Sequence, residues 1–168
     1  MKSFLLWCAL LFSLGSLFSP LQATTCTVNS NGGINFTNAY DPTSSAVIET
    51  TGSISFTCNN TGLGDTVTLT LSTGSSGVYT NRTLVLGSQH LNYNLYVDTG
   101  YTEVFGNGTG GTYSLYGCYG LGSGAPCGIT GGSPSGTTFT GPVYGKLPGG
   151  QNVGAGTYSD TLTATVTF

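Results

Sequence analysis

Few side chains in this sequence could carry out chemistry, and they are widely spaced along the chain. Histidine occurs only at His90, and no serine occupies the Gly-x-Ser-x-Gly turn that exposes a hydrolase nucleophile. The six acidic residues are dispersed, so a catalytic carboxylate pair would depend on an accident of tertiary structure. Residues 106–111, GNGTGG, are glycine-rich like a phosphate-binding loop, but neither Lys-Ser nor Lys-Thr follows. We therefore expect no enzymatic activity and no cofactor.

The cysteines are the side chains most suited to covalent chemistry. Cys8 belongs to an apolar amino-terminal segment, which leaves an even number in the rest of the chain: Cys26, Cys58, Cys118 and Cys127. An even set in an exported protein predicts disulfides, and three pairings are compatible with the sequence. We favour Cys26 with Cys58, joining the first strand to the next long one, and Cys118 with Cys127, closing a glycine-rich loop. A zinc site is the weaker alternative, because the sequence contains no Cys-x-x-Cys.

The amino-terminal residues 1–23 predict export. Lys2 precedes an apolar run from Phe4 to Phe18, and Pro20 and the small residue Ala23 follow. This order is typical of a secretory signal peptide cleaved after Ala23, which leaves one domain at 24–168. An uncleaved anchor is less favoured because no basic flank follows the run.

The low charge of the chain excludes some classes of partner. Lysine and arginine total 3, aspartate and glutamate total 6, and the formal net charge is −3. Nucleic acids and anionic membrane surfaces require clustered cations, so neither is expected as a partner. Arg82, Asp98 and Asp160 are interpreted as surface or turn residues that cap strand ends.

The remaining sequence has the two-residue period of β-strands. Apolar residues alternate with polar ones in the segments GSISFTC, DTVTLTLS and LNYNLYVD, and glycine-rich or Asp-Pro turn signals separate them. No segment has a helical period. These patterns predict an all-β fold, an antiparallel β-sandwich.

The last residues predict a strand from Thr157 to Phe168. Apolar side chains occupy the even positions Leu162, Ala164, Val166 and Phe168, and threonine occupies the odd ones. A final strand with an open edge presents unpaired N–H and C=O groups on which another chain can add. We interpret this edge as a binding site.

Residues 106–136 are dominated by glycine, serine and tyrosine and are too long for a hairpin turn. The favoured interpretation is a flexible solvent loop closed by a disulfide. The alternative is a contact surface, since Tyr113, Tyr116 and Tyr119 offer large amphipathic side chains at low entropic cost.

A series of short motifs follows in order along the chain: INF, YDP, TGSISFTC, LSTG, NRTL, LNYNLYVD, VFGNGTG and, most specific, PVYGKLPGGQNVGAGTYSDTLTATVTF. This order resembles the spore coat protein U family, whose members include subunits of archaic chaperone-usher pili. The resemblance implies an immunoglobulin-like sandwich that lacks its final strand. It also implies export to the periplasm, binding by a periplasmic chaperone, assembly by an outer-membrane usher and contact with a neighbouring pilus subunit at the cell surface.

In such a family, a donor strand from another molecule fills the groove beside the terminal strand, and the groove residues implied here are Leu162, Ala164, Val166 and Phe168. Only Thr24 and Thr25 separate the expected cleavage site from Cys26. The chain is therefore expected to accept a strand without donating one, as a fibre-terminal subunit would. A spore or cell coat structural protein and a free secreted carbohydrate-binding module are the alternatives.

Overall fold

Every element longer than one turn in the described part of the chain is a β-strand. The computed structural model describes residues 23–29, 33–36, 39–60, 66–118 and 137–168. The strands are β1 (Thr25–Asn29), β2 (Ile48–Asn59), β3 (Thr66–Leu71), β4 (Arg82–Leu86), β5 (Gln89–Tyr96), β6 (Leu115–Cys118), β7 (Thr137–Leu147) and β8 (Ala164–Thr167). A single turn of 3-10 helix, Gly74–Ser76, follows β3.

The strands form two antiparallel sheets. The larger sheet has the order β1-β2-β7-β5-β4 and the smaller has the order β6-β3-β8. The longest pairing is between β2 and β7, which runs from Ile48 opposite Leu147 to Cys58 opposite Thr137. The prediction of an all-β antiparallel sandwich is confirmed.

The core lies between the sheets and is built by alternate residues of the strands. Phe56 of β2 and Phe139 of β7 stack with ring centroids 5.0 Å apart, and both are fully buried. The predicted inward faces of β2, β3 and β5 supply much of the rest, and the buried apolar set is Phe56, Cys58, Val67, Leu69, Leu71, Leu91, Tyr93, Leu95, Phe105, Leu115, Phe139, Val143 and Leu147. Burial of each large side chain stabilises the fold by about 1.5 to 3 kcal/mol.

The carboxyl-terminal segment differs from its prediction as one continuous strand. Ser159 forms an isolated bridge with Val85 in the larger sheet, whereas Ala164–Thr167 pairs with β3 in the smaller sheet. The segment therefore crosses from one sheet to the other. Between the two pairings, the backbone N–H of Thr161 donates to the carboxylate of Asp160 and so joins no ladder.

The turn after β5 is held by Asp98, as the sequence predicted. Its carboxylate accepts hydrogen bonds from the backbone N–H groups of Gly100, Thr102 and Glu103. Tyr101 within this turn has a φ of 55°, a left-handed backbone conformation that residues other than glycine seldom adopt. The carboxylate thus fixes a turn that the backbone alone would disfavour.

Candidate functional site: an apolar cleft between the sheets

A cleft of about 940 Å³ separates the two sheets on the side of β8. Protein interiors seldom contain voids larger than a water molecule, so this space is far too large to be a packing defect. Both sheets supply its apolar lining, which includes Val28, Ile34, Phe36, Ile48, Ile54, Leu71, Leu84, Leu91, Leu95, Leu147, Leu162 and Ala164.

The carboxyl-terminal segment forms one wall of the cleft. Its even-numbered residues from Tyr158 to Val166 are half-buried, whereas the odd-numbered residues from Ser159 to Thr167 are exposed. Leu162 and Ala164 line the cleft, and Leu162, Ala164 and Val166 pack against the core. Within the described residues β8 is the edge strand of its sheet, so its side away from β3 has no ladder partner there.

Residues 33–36 line the cleft against the inner face of the larger sheet. Two glycines make room for them: a Cβ at Gly52 would collide with Ile34, and a Cβ at Gly145 would lie 3.0 Å from the ring of Phe36. The ring of Phe36 in turn meets that of Tyr93 edge-on, with centroids 5.9 Å apart. The inner surface of the cleft thus depends on glycine in β2 and β7.

A Gly145→Ala substitution is expected to destabilise the fold by about 1 to 3 kcal/mol, because it overpacks this inner surface. The added methyl group would lie 2.8 Å from Cγ2 of Thr50 as well as 3.0 Å from Phe36. Urea denaturation measures the change. A second variant, Gly145→Ala with Thr50→Ser, removes the nearest methyl group and should recover part of the lost stability. An unchanged free energy of unfolding in Gly145→Ala alone would contradict this packing.

Arg82 is fully buried, so its interpretation as a surface residue is wrong. The guanidinium donates to the carbonyl oxygens of Ser72 and Phe105 and to Oδ1 of Asn94, at 2.7 to 3.2 Å. Tyr79 presents its ring 5.3 Å from the guanidinium carbon. The side chain therefore joins the end of β3 in one sheet to β4 and β5 in the other.

Asp160 fixes the point at which the carboxyl-terminal segment crosses between the sheets. Oδ1 accepts hydrogen bonds from the backbone and hydroxyl of Ser75 at 2.8 and 2.6 Å, and Oδ2 accepts one from the hydroxyl of Tyr93 at 2.8 Å. Burial, with the hydrogen bond to Asp160, raises the pKa of Tyr93 well above its usual value. The phenol therefore stays protonated as a donor.

The stabilisation contributed by Asp160 should depend on pH. Burial alone would raise the pKa of this carboxyl, but hydrogen bonds from Ser75, Tyr93 and Thr161 outweigh it and lower the pKa below 3.8. A lowered folded-state pKa gives stability that is present above the unfolded pKa and lost as pH falls through the folded value. The wild type should exceed Asp160→Asn in unfolding midpoint at pH 7, and the gap should narrow below about pH 3.5. A gap independent of pH would contradict this role.

The structure places the other predicted residues apart from the cleft. Cys26 and Cys58 form the predicted disulfide, which joins β1 to β2. The second predicted pair lies outside the residues whose side chains the structure describes, since it involves Cys118 and Cys127. Phe168 follows β8 with 57% of its surface exposed and does not line the cleft.

The described part of the tyrosine-rich segment, residues 106–118, forms a hydrogen-bonded turn followed by a strand. Residues 106–113 make a turn closed by hydrogen bonds between Gly106 and Tyr113 and between Tyr113 and Val104, and β6 follows. Tyr113 and Tyr116 are 45% and 50% exposed. Tyr119 lies outside the described residues, and a contact role for the three tyrosines stays a prediction.

Sequence reasoning missed Ile34, Phe36, Tyr93 and Arg82 as residues of this region. A signal was present for the first two, since the motif INF places two apolar side chains on one face of an extended segment. In the described ranges, no group of three or more His, Cys, Asp or Glu could hold a metal ion. No helix there is long and apolar enough to span a membrane.

The fold and the open cleft define a β-sandwich module, and comparison with known sequences identifies its family. A family model described as the Spore Coat Protein U domain matches residues 15–165, and the chain belongs to that family. A curated relative, Protein U of Myxococcus xanthus, is 33% identical over 181 residues, and the alignment covers 90% of this chain and 89% of the relative.

The fold is also found in a solved assembly. The match is to a chain in the crystal structure of the CsuC-CsuE chaperone-tip adhesion subunit pre-assembly complex from archaic chaperone-usher Csu pili of Acinetobacter baumannii. The TM-score is 0.52 at 18% identity, and the match covers 87% of this chain. This chain spans 40% of that one, so the likeness shows a shared fold for one part of it.

Proposed function

We propose that this chain is a subunit of an archaic chaperone-usher pilus and that its cleft accepts an extended strand from a partner. The observation that carries the proposal is the cleft of about 940 Å³, lined with apolar side chains from both sheets. A cleft of this size between the described strands has room for one further extended segment. An added strand supplies alternate side chains on one face, which is the shape such a space accommodates.

The backbone around the cleft supports a strand as the occupant. β8 and β1 are the edge strands of their sheets within the described residues, and Ala164 of β8 and Val28 of β1 both line the cleft. An extended segment beside β8 can pair with its unpaired backbone groups while its side chains enter the cleft. Main-chain hydrogen bonds and side-chain burial then both stabilise the bound strand.

The energetics favour a tightly held strand. Ile34, Phe36 and Leu162 pack against the core yet are only half-buried, so an occupant would complete their burial. Four or five donor side chains at about 1.5 to 3 kcal/mol each contribute roughly 6 to 15 kcal/mol before entropic costs. This rivals the stability of a whole domain, about 5 to 15 kcal/mol. The chain should be marginally stable alone and durable when complemented.

The partners proposed are a periplasmic chaperone, an outer-membrane usher and a neighbouring pilus subunit, and the proposed location is the periplasm and then the cell surface. One chain of the chaperone-tip adhesion subunit complex shares this fold, and that likeness supports a chaperone as a partner. No enzymatic role is assigned.

β1 supports a position at the end of the fibre. Thr25–Asn29 pair with β2, and Cys26 is bonded to Cys58. β1 is therefore not itself a donor strand, and the proposed terminal position requires that no other segment of the chain serves as one. A structural protein of a spore or cell coat is the second candidate, and the family description and the relative Protein U favour it.

Co-expression of the full chain with the chaperone and usher of an archaic pilus tests the proposal. The chain should purify in a one-to-one complex with the chaperone, and gold-labelled antibody should mark it at fibre ends. Surface deposition that does not need the usher would favour the coat protein. A stable free monomer that never binds the chaperone would contradict strand acceptance.

A further inference from the structure

Aromatic side chains gather on the outer face of the larger sheet, which is the face turned away from the cleft. Along β7, Gly145 and Leu147 are buried on the inner face, whereas Tyr144 and Lys146 alternate with them and lie half-buried on the outer face. Tyr96 of β5 is directly opposite Tyr144 and is also half-buried. Because directly opposite residues share a face of a sheet, the two tyrosines and the lysine lie together there.

The turn after β5 brings a third tyrosine onto this face. The ring of Tyr101 meets that of Tyr96 edge-on, with centroids 5.5 Å apart, and the ammonium of Lys146 lies 5.0 Å from the centre of the Tyr101 ring. Glu49 of β2 is directly opposite Lys146, and its carboxylate interacts with the hydroxyl of Tyr101. We call this group the outer patch, and its residues are Glu49, Tyr96, Tyr101, Tyr144 and Lys146.

Tyr101 is held in the outer patch at a conformational cost. Its φ of 55° lies in the left-handed region, which is unfavourable for a residue with a side chain. Asp98 fixes the turn by accepting hydrogen bonds from the backbone N–H groups of Gly100, Thr102 and Glu103. Glycine would adopt the same turn without strain. A strained tyrosine at a position that suits glycine indicates a role for its ring, since strain of this kind concentrates at ligand-binding sites.

The outer patch also presents polar groups that no neighbour in the described ranges satisfies. There the ammonium of Lys146 forms no hydrogen bond or ion pair and contacts only the ring of Tyr101. The hydroxyls of Tyr96 and Tyr144 likewise form no hydrogen bond with the described residues. An ammonium can donate three hydrogen bonds, and a phenol can both donate and accept. The outer patch therefore combines aromatic rings with donors and acceptors that a ligand could use.

The charges around the outer patch favour an uncharged ligand. Asp98 and Glu103, in the turn that carries Tyr101, add two acids to Glu49, so an anion would be repelled. The ammonium of Lys146 already lies over the Tyr101 ring, where a cationic ligand would otherwise bind. A second copy of the chain would bring the same acids against this face. A neutral sugar avoids these costs, because its ring has C–H groups on its faces and hydroxyls at its rim.

We propose that the outer patch binds an uncharged oligosaccharide. A sugar ring packs against Tyr96, Tyr101 and Tyr144, and its hydroxyls accept hydrogen bonds from Lys146 and donate to Glu49. The outer patch and the cleft lie on opposite faces of the larger sheet, so the proposal does not depend on strand acceptance. A chain with a strand in its cleft could bind the sugar as well.

Titration calorimetry of the full chain with matched hexasaccharides tests the proposal. Cellohexaose and N-acetylated chitohexaose are uncharged, whereas C6-oxidised cellohexaose is anionic and deacetylated chitohexaose is cationic in mildly acidic buffer. At least one uncharged hexasaccharide should bind, and its charged counterpart should bind about tenfold more weakly. If neither uncharged hexasaccharide binds, or if the charged forms bind as tightly, the proposal is overturned.

Two variants locate the binding site. Lys146→Met and Tyr101→Gly should each weaken binding of the uncharged hexasaccharide about tenfold, the effect of losing one hydrogen bond to a charged group or a comparable contact. Tyr101→Gly also relaxes the left-handed turn, so its urea midpoint should not fall. A lower midpoint with unchanged affinity would give Tyr101 a structural role and contradict the proposal.

Thr140→Ala is the matched control, because Thr140 is exposed on the outer face of β7 away from the outer patch. This variant should bind the hexasaccharide as the wild type does. Equal affinity in all three variants would place the sugar elsewhere and overturn the proposal. Sedimentation gives a further test: if Lys146→Met and Tyr101→Gly change self-association of the chain and leave sugar affinity intact, the outer patch is a protein interface and the proposal falls.

Discussion

An Arg82→Met chain is expected to lose about 3 to 6 kcal/mol of unfolding free energy, a large part of the stability of a domain. Methionine can fill the aliphatic space but donates no hydrogen bond. The carbonyl oxygens of Ser72 and Phe105 would lose the guanidinium as their donor, and Oδ1 of Asn94 would keep only the backbone N–H of Leu95. Each buried acceptor left without its donor costs about 1 to 3 kcal/mol. Urea denaturation followed by circular dichroism measures the loss.

Lys146→Met is the matched control, because it removes the other cation of the domain. Lys146 is half-buried, and its ammonium lies 5.0 Å from the centre of the Tyr101 ring on the outer side of the sheet. A contact of this kind contributes about 0.5 to 1 kcal/mol. Equal losses in the two variants would show that Arg82 does not hold the sheets together.

A Leu162→Asp chain is expected to lose about 2 to 4 kcal/mol and to lose strand binding altogether. The carboxylate would enter the wall of the cleft beside the apolar side chains that line it, where its desolvation is costly. The side chain of Leu162 is half-buried, so part of the charge can still reach water and the cost stays below that of full burial.

Thr163→Asp provides the comparison on the next residue. Its side chain is exposed on the opposite face of the segment, so the change in stability should stay within about 0.5 kcal/mol. Co-purification of each variant with the pilus chaperone completes the test. Leu162→Asp should abolish binding to the chaperone, and Thr163→Asp should retain it. Retention by both would exclude this face as the binding wall.

Local alternation was sufficient to predict the core of the strands. Phe56, Leu69 and Leu95 each lie in a segment of strict period two, and each is buried. The pairing of β2 with β7 could not be predicted, because the two strands are separated by most of the domain and alternation carries no information about partners.

Burial of Arg82 depends on three oxygen atoms that lie 10 to 23 residues away in sequence. Ser72, Asn94 and Phe105 are brought together only by the packing of one sheet on the other, and a lone arginine is ordinarily a surface residue. The break in the last strand has a similar origin. Asp160 binds Ser75, 85 residues earlier, and this contact redirects a segment whose own alternation predicts a continuous strand.

Thermal unfolding of the chain, with and without a peptide of alternating apolar residues, tests the strand-accepting cleft most directly. A ligand that binds only the folded state at a hundred times its Kd adds about 2.7 kcal/mol of stability. The midpoint should therefore rise with peptide concentration in the wild type and in Thr163→Asp, and stay constant in Leu162→Asp. A wild-type chain that is monomeric, with a midpoint unchanged at every peptide concentration, would contradict the account.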